Sequence, residues 1–370
     1  MSKGKIDTLW YTRCPVPTPL GIAAQLGWVV DEFKPDGIDV RTLQDETDPA
    51  LRESHFDHKL DNSFRQGGNI PAIWARSAGR QTRVVGLTWT DEAQVILTLP
   101  RTGIRSVRDL AGRKLAVATR PEDKIDFWKA TTIRAYHAAL GLHGLAVSDV
   151  TLVEIPRPGG SSIGAPSGRP EPKLEESPEA QALLRGDVDA IFHKGSRGLE
   201  LADAIGAVTV FDVGAHPDPK VRVNNGSPRT LTVDAGLIER DLPLVVRLVK
   251  RVLLAGRWAA EHPREAVAYV ARETRSSEAA VRRAYGSDVN HHLRTDLEES
   301  SIVALADFTN FLHEWKFIPN ALDVRAWIDP RPLQRAQAEL AAEARGAAVR
   351  PDARPPSSSA GVPPAATSSI

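Results

Sequence analysis

Three kinds of side chain within the first seventy positions can do chemistry together: a thiol, an imidazole and a guanidinium. Cys14 is the only cysteine among 370 residues. It stands in Asp7-Thr-Leu-Trp-Tyr-Thr-Arg-Cys-Pro-Val-Pro17, where β-branched and aromatic residues give way to prolines that cannot continue a sheet. The thiol is therefore expected where a strand gives way to a loop. In open α/β sheets that edge faces the crevice in which ligands collect. The run Gly21-Ile-Ala-Ala-Gln-Leu-Gly-Trp28 reads as a helix whose first-turn dipole favours a thiolate or a bound anion.

His55 and Arg65 follow, with Gly67 and Gly68 close behind. An imidazole near a thiol can take or return its proton. An arginine offers a planar fork to two oxygens of a sulfinate, sulfonate or carboxylate. Two glycines let backbone N–H groups approach a ligand oxygen closely. Taken singly, each has an ordinary explanation: a lone cysteine as a small buried hydrophobe, a lone loop histidine as a capping residue, a lone arginine as a surface charge.

The elements that must position these residues begin with a β-α-β unit. Asp36 to Leu43 reads as a turn entering a second strand, which implies a right-handed crossover and a parallel sheet. Residues 44 to 69 are polar and aperiodic and are expected to form one long functional loop. Ile70 to Arg76 suits a short helix, and Thr82 to Thr88 and Gln94 to Thr98 suit strands, the last leading out of the first lobe. Beyond it come a capped short helix ending at Gly112 and a strand, then a helix over 127–143 and a strand over 150–155. Gly, Ser and Pro then interrupt the chain at 159–172, which reads equally as a surface insertion or a lid and is no phosphate loop. Strands at 208–213 and 229–233 precede four helices, 242–262, 263–272, 278–285 and 298–315, expected to pack on the first lobe. The Ala-, Pro- and Ser-rich stretch 331–370 is set apart as a helix remnant followed by a disordered tail.

Composition narrows the partners. Lys and Arg total 47 against 47 Asp and Glu, with no basic block, so there is no electrostatic case for nucleic acid or an anionic membrane. One cysteine excludes an internal disulfide, and no apolar run has the length of a signal peptide or a membrane span. A cytoplasmic, monomeric protein that keeps Cys14 reduced is expected. His55 with His58, and His291-His292 before Asp296 and Glu298, have loose metal-ligand spacing, but such histidines are more often solvated, and no metal or other cofactor is expected. The eight tryptophans read as core and cleft walls.

Two segments carry a resemblance to a known fold. Ile104-Arg-Ser-Val-Arg-Asp-Leu-Ala-Gly-Arg-Lys-Leu-Ala-Val117 and Arg185-Gly-Asp-Val-Asp-Ala-Ile-Phe192 resemble the second lobe of type II periplasmic-binding-protein folds. The resemblance implies a two-lobed α/β fold, each lobe a mainly parallel sheet flanked by helices. Lobe I is then residues 1–97 and 214–330, and lobe II residues 98–213. Three further segments, Tyr11-Thr-Arg-Cys-Pro-Val-Pro17, His55-Phe56 and Phe64-Arg-Gln-Gly-Gly-Asn-Ile-Pro71, resemble the active-site segments of the 2'-hydroxybiphenyl-2-sulfinate desulfinase family, in order and at similar spacing. That family is a cytoplasmic, enzymatic offshoot of the binding-protein fold. By position, Cys14 matches its essential cysteine, His55 the histidine bonded to that cysteine, Arg65 the arginine on the sulfinate oxygens, and Gly68 the glycine whose N–H meets the same group. Thr12 takes a position held by serine, and Phe56 and Trp128 would supply apolar wall for an aryl ring.

The resemblance implies cleavage of a carbon–sulfur bond in an aromatic sulfinate with release of sulfite, Cys14 acting either as nucleophile or as proton donor. The second-lobe loop at 156–178 is shorter and richer in Gly and Pro than the family pattern, so phenyl, biphenyl and alkyl sulfinates all stay open. One competing reading is a non-enzymatic solute-binding protein for sulfonate, taurine or nitrate-like anions, the common occupation of the fold. Another, a thiamine-pyrimidine synthase, would carry a cysteine-rich motif that a single cysteine cannot supply.

Overall fold

The computed structural model describes residues 6–157 and 173–348. The 159–172 interruption and the final twenty residues lie outside the described residues. Two five-stranded sheets organise the chain. The first contains β1 (Thr8–Arg13), β2 (Asp39–Thr42), β3 (Ser63–Gly67), β4 (Thr82–Thr88) and β10 (Arg229–Asp234), in the order β2-β1-β3-β10-β4. The second contains β5 (Gln94–Thr98), β6 (Lys114–Thr119), β7 (Thr151–Pro156), β8 (Ala190–Lys194) and β9 (Val208–Asp212), in the order β7-β6-β8-β5-β9.

Each sheet repeats one plan. β1 runs parallel to β2 and β3, and β6 parallel to β7 and β8, while β10 and β5 run antiparallel to their neighbours. The two reversed strands are those by which the chain enters each sheet from the other lobe. This is the two-lobed α/β fold, mainly parallel in each lobe, that the sequence led us to expect. The parallel strands of both sheets send their C-terminal ends toward one crevice, the arrangement that exposes strand ends and helix starts to a ligand.

Several boundaries differ from expectation. β5 belongs to the second sheet, so the chain leaves lobe I at residues 89–93 rather than after 97. The helix expected over 21–28 is two helices, Pro19–Gln25 and Trp28–Phe33, because Gly27 adopts a left-handed φ of 78° that ends the first and caps the second. The stretch read as a loop over 44–69 contains two short helices, Pro49–Arg52 and Ser54–Asp57, and the central strand β3. Gln66 explains how so polar a strand can be buried: its side chain accepts from Leu20 N at 2.8 Å and donates to Thr88 Oγ1 at 3.1 Å. The C-terminal helices do not all pack on lobe I alone. Glu299–Glu314 meets the second lobe through Asp307, which pairs with Arg134 at 3.2 Å, and through Phe308 and Phe311 beneath the Arg134 guanidinium. Glu278–Tyr285 packs against the second-lobe helix Gly195–Ile205, with Arg283 paired to Asp203. The residues set apart after 330 are helical over Arg331–Ala348, and this helix buries Leu333, Ala336 and Leu340 against the first-lobe core.

At the crossings, Glu92 joins the lobes. Its carboxylate receives Lys194 Nζ at 2.7 Å from lobe II and Arg229 Nη2 at 3.3 Å from lobe I. A Cβ on Gly226 would lie 1.5 Å from a Glu92 oxygen, so only glycine fits beside it. The carboxylate is almost wholly buried, and two cations offset the cost of desolvating it.

Candidate functional site

β1 and β3 are adjacent and parallel, with Thr12 opposite Arg65 and Arg13 opposite Gln66. The ladder continues one step past the strand, where Cys14 N donates to Gln66 O at 3.1 Å, so the thiol is fixed at the C-terminal edge of the sheet. Gly67 lies against it. A Cβ at Gly67 would sit 2.3 Å from Cys14 Sγ, which makes this glycine the space in which the sulfur rests. Gly68 follows as the N-cap of helix Asn69–Ser77, so the positive end of that helix starts beside the thiol. A Cβ at Gly68 would meet Asn225 Oδ1 at 2.6 Å, and that same oxygen accepts from Ile70 N at 3.0 Å.

The short helix Ser54–Asp57 brings His55 over the strand ends. His55 Nε2 lies 3.4 Å from Cys14 Sγ, and His55 Nδ1 lies 2.7 Å from Thr12 Oγ1. Arg65, 2 % exposed, uses each of its three nitrogens. Nε donates to His55 O at 2.9 Å, Nη1 to Gly68 O at 2.8 Å, and Nη2 to Cys14 Sγ at 3.3 Å. The guanidinium is thus pinned on two sides while its third group points at the sulfur. A buried cation fixed in this way is a preorganised seat for an anion next to the thiol.

Electrostatics follow from burial. Desolvation, and then Arg65, hold His55 well below the usual imidazole range, so the ring is neutral at physiological pH. His58, which caps the end of that short helix, is pushed down to about 3 by burial and Arg65. Its Nδ1 meets Phe56 O at 3.2 Å and its Nε2 meets Thr232 Oγ1 at 3.3 Å. Burial also lowers Arg65 itself, while the neighbouring Cys14 raises it.

The second lobe contributes rings and cations. Phe56 sits edge-on to His55 with centroids 5.0 Å apart and stacks on Phe127 at 6.2 Å. Phe127 in turn lies 5.3 Å from Trp128, whose ring face carries the Arg157 guanidinium at 3.9 Å. Phe127 and Trp128 open helix Phe127–Leu142, capped by Asp126, and Arg157 follows directly on β7. Burial pushes Arg157 down to about 10, and it pairs with Glu179. Between the lobes, Lys124 Nζ reaches Asp57 Oδ2 at 2.5 Å, two residues from His55.

The structure therefore brings together Cys14, His55, Arg65, Gly68 and Phe56, with Trp128 one ring further out. It places Thr12 differently: the residue is 4 % exposed and its hydroxyl is spent on His55, on the side of the ring away from the thiol. Sequence reasoning missed Gln44, Phe127, Lys124 and Arg157. Only Phe127, adjacent to Trp128 at a helix start, carried a readable signal. Among the described residues no group of three or more His, Cys, Asp or Glu is placed to hold a metal. His292 instead meets Asp288 at 3.2 Å. A cavity of about 680 Å³ lined by Glu200, Tyr269, Arg272 and Ser276 lies elsewhere and includes none of the site residues.

No family model matches the chain. It is 28% identical over 361 residues to the 2'-hydroxybiphenyl-2-sulfinate desulfinases of Rhodococcus erythropolis and Rhodococcus qingshengii, covering 88% of this chain and 93% of theirs. A putative aliphatic sulfonates-binding protein of Bacillus subtilis is 37% identical over 102 residues, 27% of this chain and 30% of that one. In structure, the chain matches a cysteine-to-serine mutant of the enzyme DszB in complex with biphenyl-2-sulfinic acid, with a TM-score of 0.72 and 27% identity over 90% of this chain and all of that one. The periplasmic aliphatic sulphonate binding protein SsuA of Escherichia coli shares the fold, with a TM-score of 0.62 and 15% identity over 88% of this chain and 92% of that one. At 88% of this chain, the similarity to the desulfinases extends over more than either lobe alone.

Proposed function

We propose that this protein is a carbon–sulfur bond hydrolase that removes the sulfinate group from an organic, aromatic sulfinate and releases sulfite. The observation that carries the reading is the contact set on one sulfur: Cys14 Sγ touches His55 Nε2 and Arg65 Nη2 at the strand edge. Similarity to the desulfinases over 88% of the chain supports it. Arg65 would hold the sulfinate oxygens, its attraction for an anion strengthened by the low-dielectric surroundings of a buried site, and the Phe56–Phe127 stack would receive the aryl ring.

Two routes use these groups. In the first, Cys14 sulfur attacks the sulfinate sulfur and forms an S–S bond as the C–S bond breaks. The electron pair stays on the aryl carbon, which takes a proton relayed through His55, and water then hydrolyses the S–S bond to return the thiol and sulfite. In the second, Cys14 gives its proton to the ring carbon bearing sulfur, sulfur dioxide leaves, and water converts it to sulfite while a proton returns to Cys14. Both consume one sulfinate and one water and yield one arene and one sulfite. In the same reading the protein acts on a small-molecule anion as a cytoplasmic monomer and needs no cofactor.

The second reading is a sulfonate-binding protein, favoured by the similarity of 102 residues to the Bacillus subtilis protein. Sulfite release from 2'-hydroxybiphenyl-2-sulfinate and from benzenesulfinate by the purified chain separates the two. Release is expected, faster for the biaryl. Thermal stabilisation by sulfinates or sulfonates without any sulfite would overturn the enzymatic reading.

A further inference from the structure

We infer that Gln44 sets the tautomer of His55, so that Nε2 carries the proton and donates it toward the Cys14 sulfur. The argument is a chain of donor and acceptor assignments. Gln44 Nε2 donates to Arg13 O, a carbonyl that can only accept, which fixes the amide with its NH2 group toward β1. Thr42 Oγ1 donates to the other end of the same amide, Oε1, in agreement with that orientation. The NH2 group also donates to Thr12 Oγ1 at 3.3 Å. Thr12 Oγ1 has one proton of its own, and its remaining partner is His55 Nδ1 at 2.7 Å. Were Nδ1 to donate as well, this buried hydroxyl would accept twice and leave its own proton without a partner. The hydroxyl therefore donates to Nδ1, and Nδ1 is the unprotonated nitrogen.

In a neutral ring the proton must then sit on Nε2. Burial and the guanidiniums of Arg65 and Arg52 keep the ring neutral. Nε2 faces Cys14 Sγ at 3.4 Å, and Arg65 Nη2 faces the same sulfur at 3.3 Å. Cys14 Sγ then faces two donors, so the ring nitrogen beside it is not free to take a proton from the thiol. Resting on the desulfinase reading, this favours the nucleophilic route over the one in which Cys14 is the proton donor. Gln44 touches neither the sulfur nor a substrate position, so it is a positioning residue that acts through Thr12.

The test needs no substrate, so it stands or falls separately from the desulfinase reading. Cys14 is the chain's one cysteine, and alkylation by iodoacetamide therefore reports on it alone. The ionisable groups facing the pair are Arg65, Arg52 and His58, with Asp57 and Lys124 beyond, and they are common to every variant compared. In the full-length protein, nitrogen-15 spectra of labelled histidine should show His55 with Nδ1 unprotonated and Nε2 protonated.

Gln44→Glu replaces the donor by an acceptor. The Thr12 hydroxyl should turn to the carboxylate, Nδ1 should gain the proton, and Nε2 should become an acceptor for S–H. Alkylation of Cys14 is then expected to shift to higher pH by about one unit or more. Thr12→Val should shift it in the same direction by less, and Thr12→Ser should restore the wild-type profile. A wild-type spectrum with the proton on Nδ1 would overturn the inference. So would a folded Gln44→Glu variant whose alkylation profile superimposes on that of the wild type.

Discussion

The two walls of the crevice are built on opposite principles. The first-lobe wall is a closed polar network in which nearly every donor is spent before a ligand arrives: Arg65 on His55 O and Gly68 O, Thr12 on His55 Nδ1, and Gln44 on Thr12 Oγ1 and Arg13 O. The second-lobe wall is a ladder of rings, Phe127 and Trp128, with an arginine on its outer face. Network atoms cannot move without leaving buried polar groups unpaired, which costs about 1–3 kcal/mol each, whereas rings can slide or be exchanged at the cost of packing alone. Under the proposed function, a molecule built in this way would hold its reacting atoms rigidly in one lobe and leave most of ring recognition to the other.

That contrast can be broken from either side, and the first-lobe changes should do most. Cys14→Ser is expected to lower sulfite release by at least about 10³-fold while leaving the melting temperature within a few degrees of the wild type. The side chain is nearly isosteric and the packing against Gly67 is kept. Arg65→Lys should cost about 10²-fold in kcat/KM, because a point charge cannot serve His55 O, Gly68 O and a sulfinate together. Steady-state kinetics on the folded variant would show it, and an unchanged KM and kcat would remove Arg65 from the anion site.

The second-lobe change should act on affinity and on ring size. Trp128→Ala is expected to raise KM for a biaryl sulfinate about 10-fold with kcat within about twofold, and to change benzenesulfinate much less. Equal losses for both substrates, or a loss confined to kcat, would contradict the division between the lobes.

The last effect is on stability and leaves the contrast between the walls aside. His58 and His193 titrate near 3 in the folded chain, and His55 also lies well below 6.5, so all three are neutral when folded and must bind protons when unfolded below that pH. Between about pH 6.5 and pH 3 the unfolded chain therefore holds more protons, and stability falls as pH falls. The slope should approach 1.4 kcal/mol per pH unit for each such histidine. Denaturant titrations at pH 7 and pH 5.5 should show the loss, and His58→Asn should reduce the slope if His58 is one of its sources.

How much of this was legible in the sequence differs along the chain for physical reasons. The cysteine at a strand end, the two-lobed plan and most helices could be read because periodicity and proline punctuation report them locally. Arg65 in β3 could not be read as a strand residue, since Ser63 to Gly67 lacks β-branched residues and owes its burial to partners far away, Leu20 N and Thr88. Gln44 was invisible for the same reason: one amide in a polar stretch gains its role only when β2 delivers it beside β1. Thr12 was legible by position but not by direction, because a strand residue beside the thiol can face either side of the sheet. The crossing at 89–93 was placed late because β5 reads as a strand without revealing which sheet it joins.

The central claim is that the aryl carbon loses sulfur and gains a proton from solvent in a reaction that requires Cys14. The direct test is turnover of 2'-hydroxybiphenyl-2-sulfinate in deuterium oxide, with arene and sulfite quantified together. The account predicts equal amounts of the two, one deuterium on the carbon that carried sulfur, and neither product from the Cys14→Ser variant. Sulfite without the deuterated arene, or both products undiminished from the variant, would contradict it.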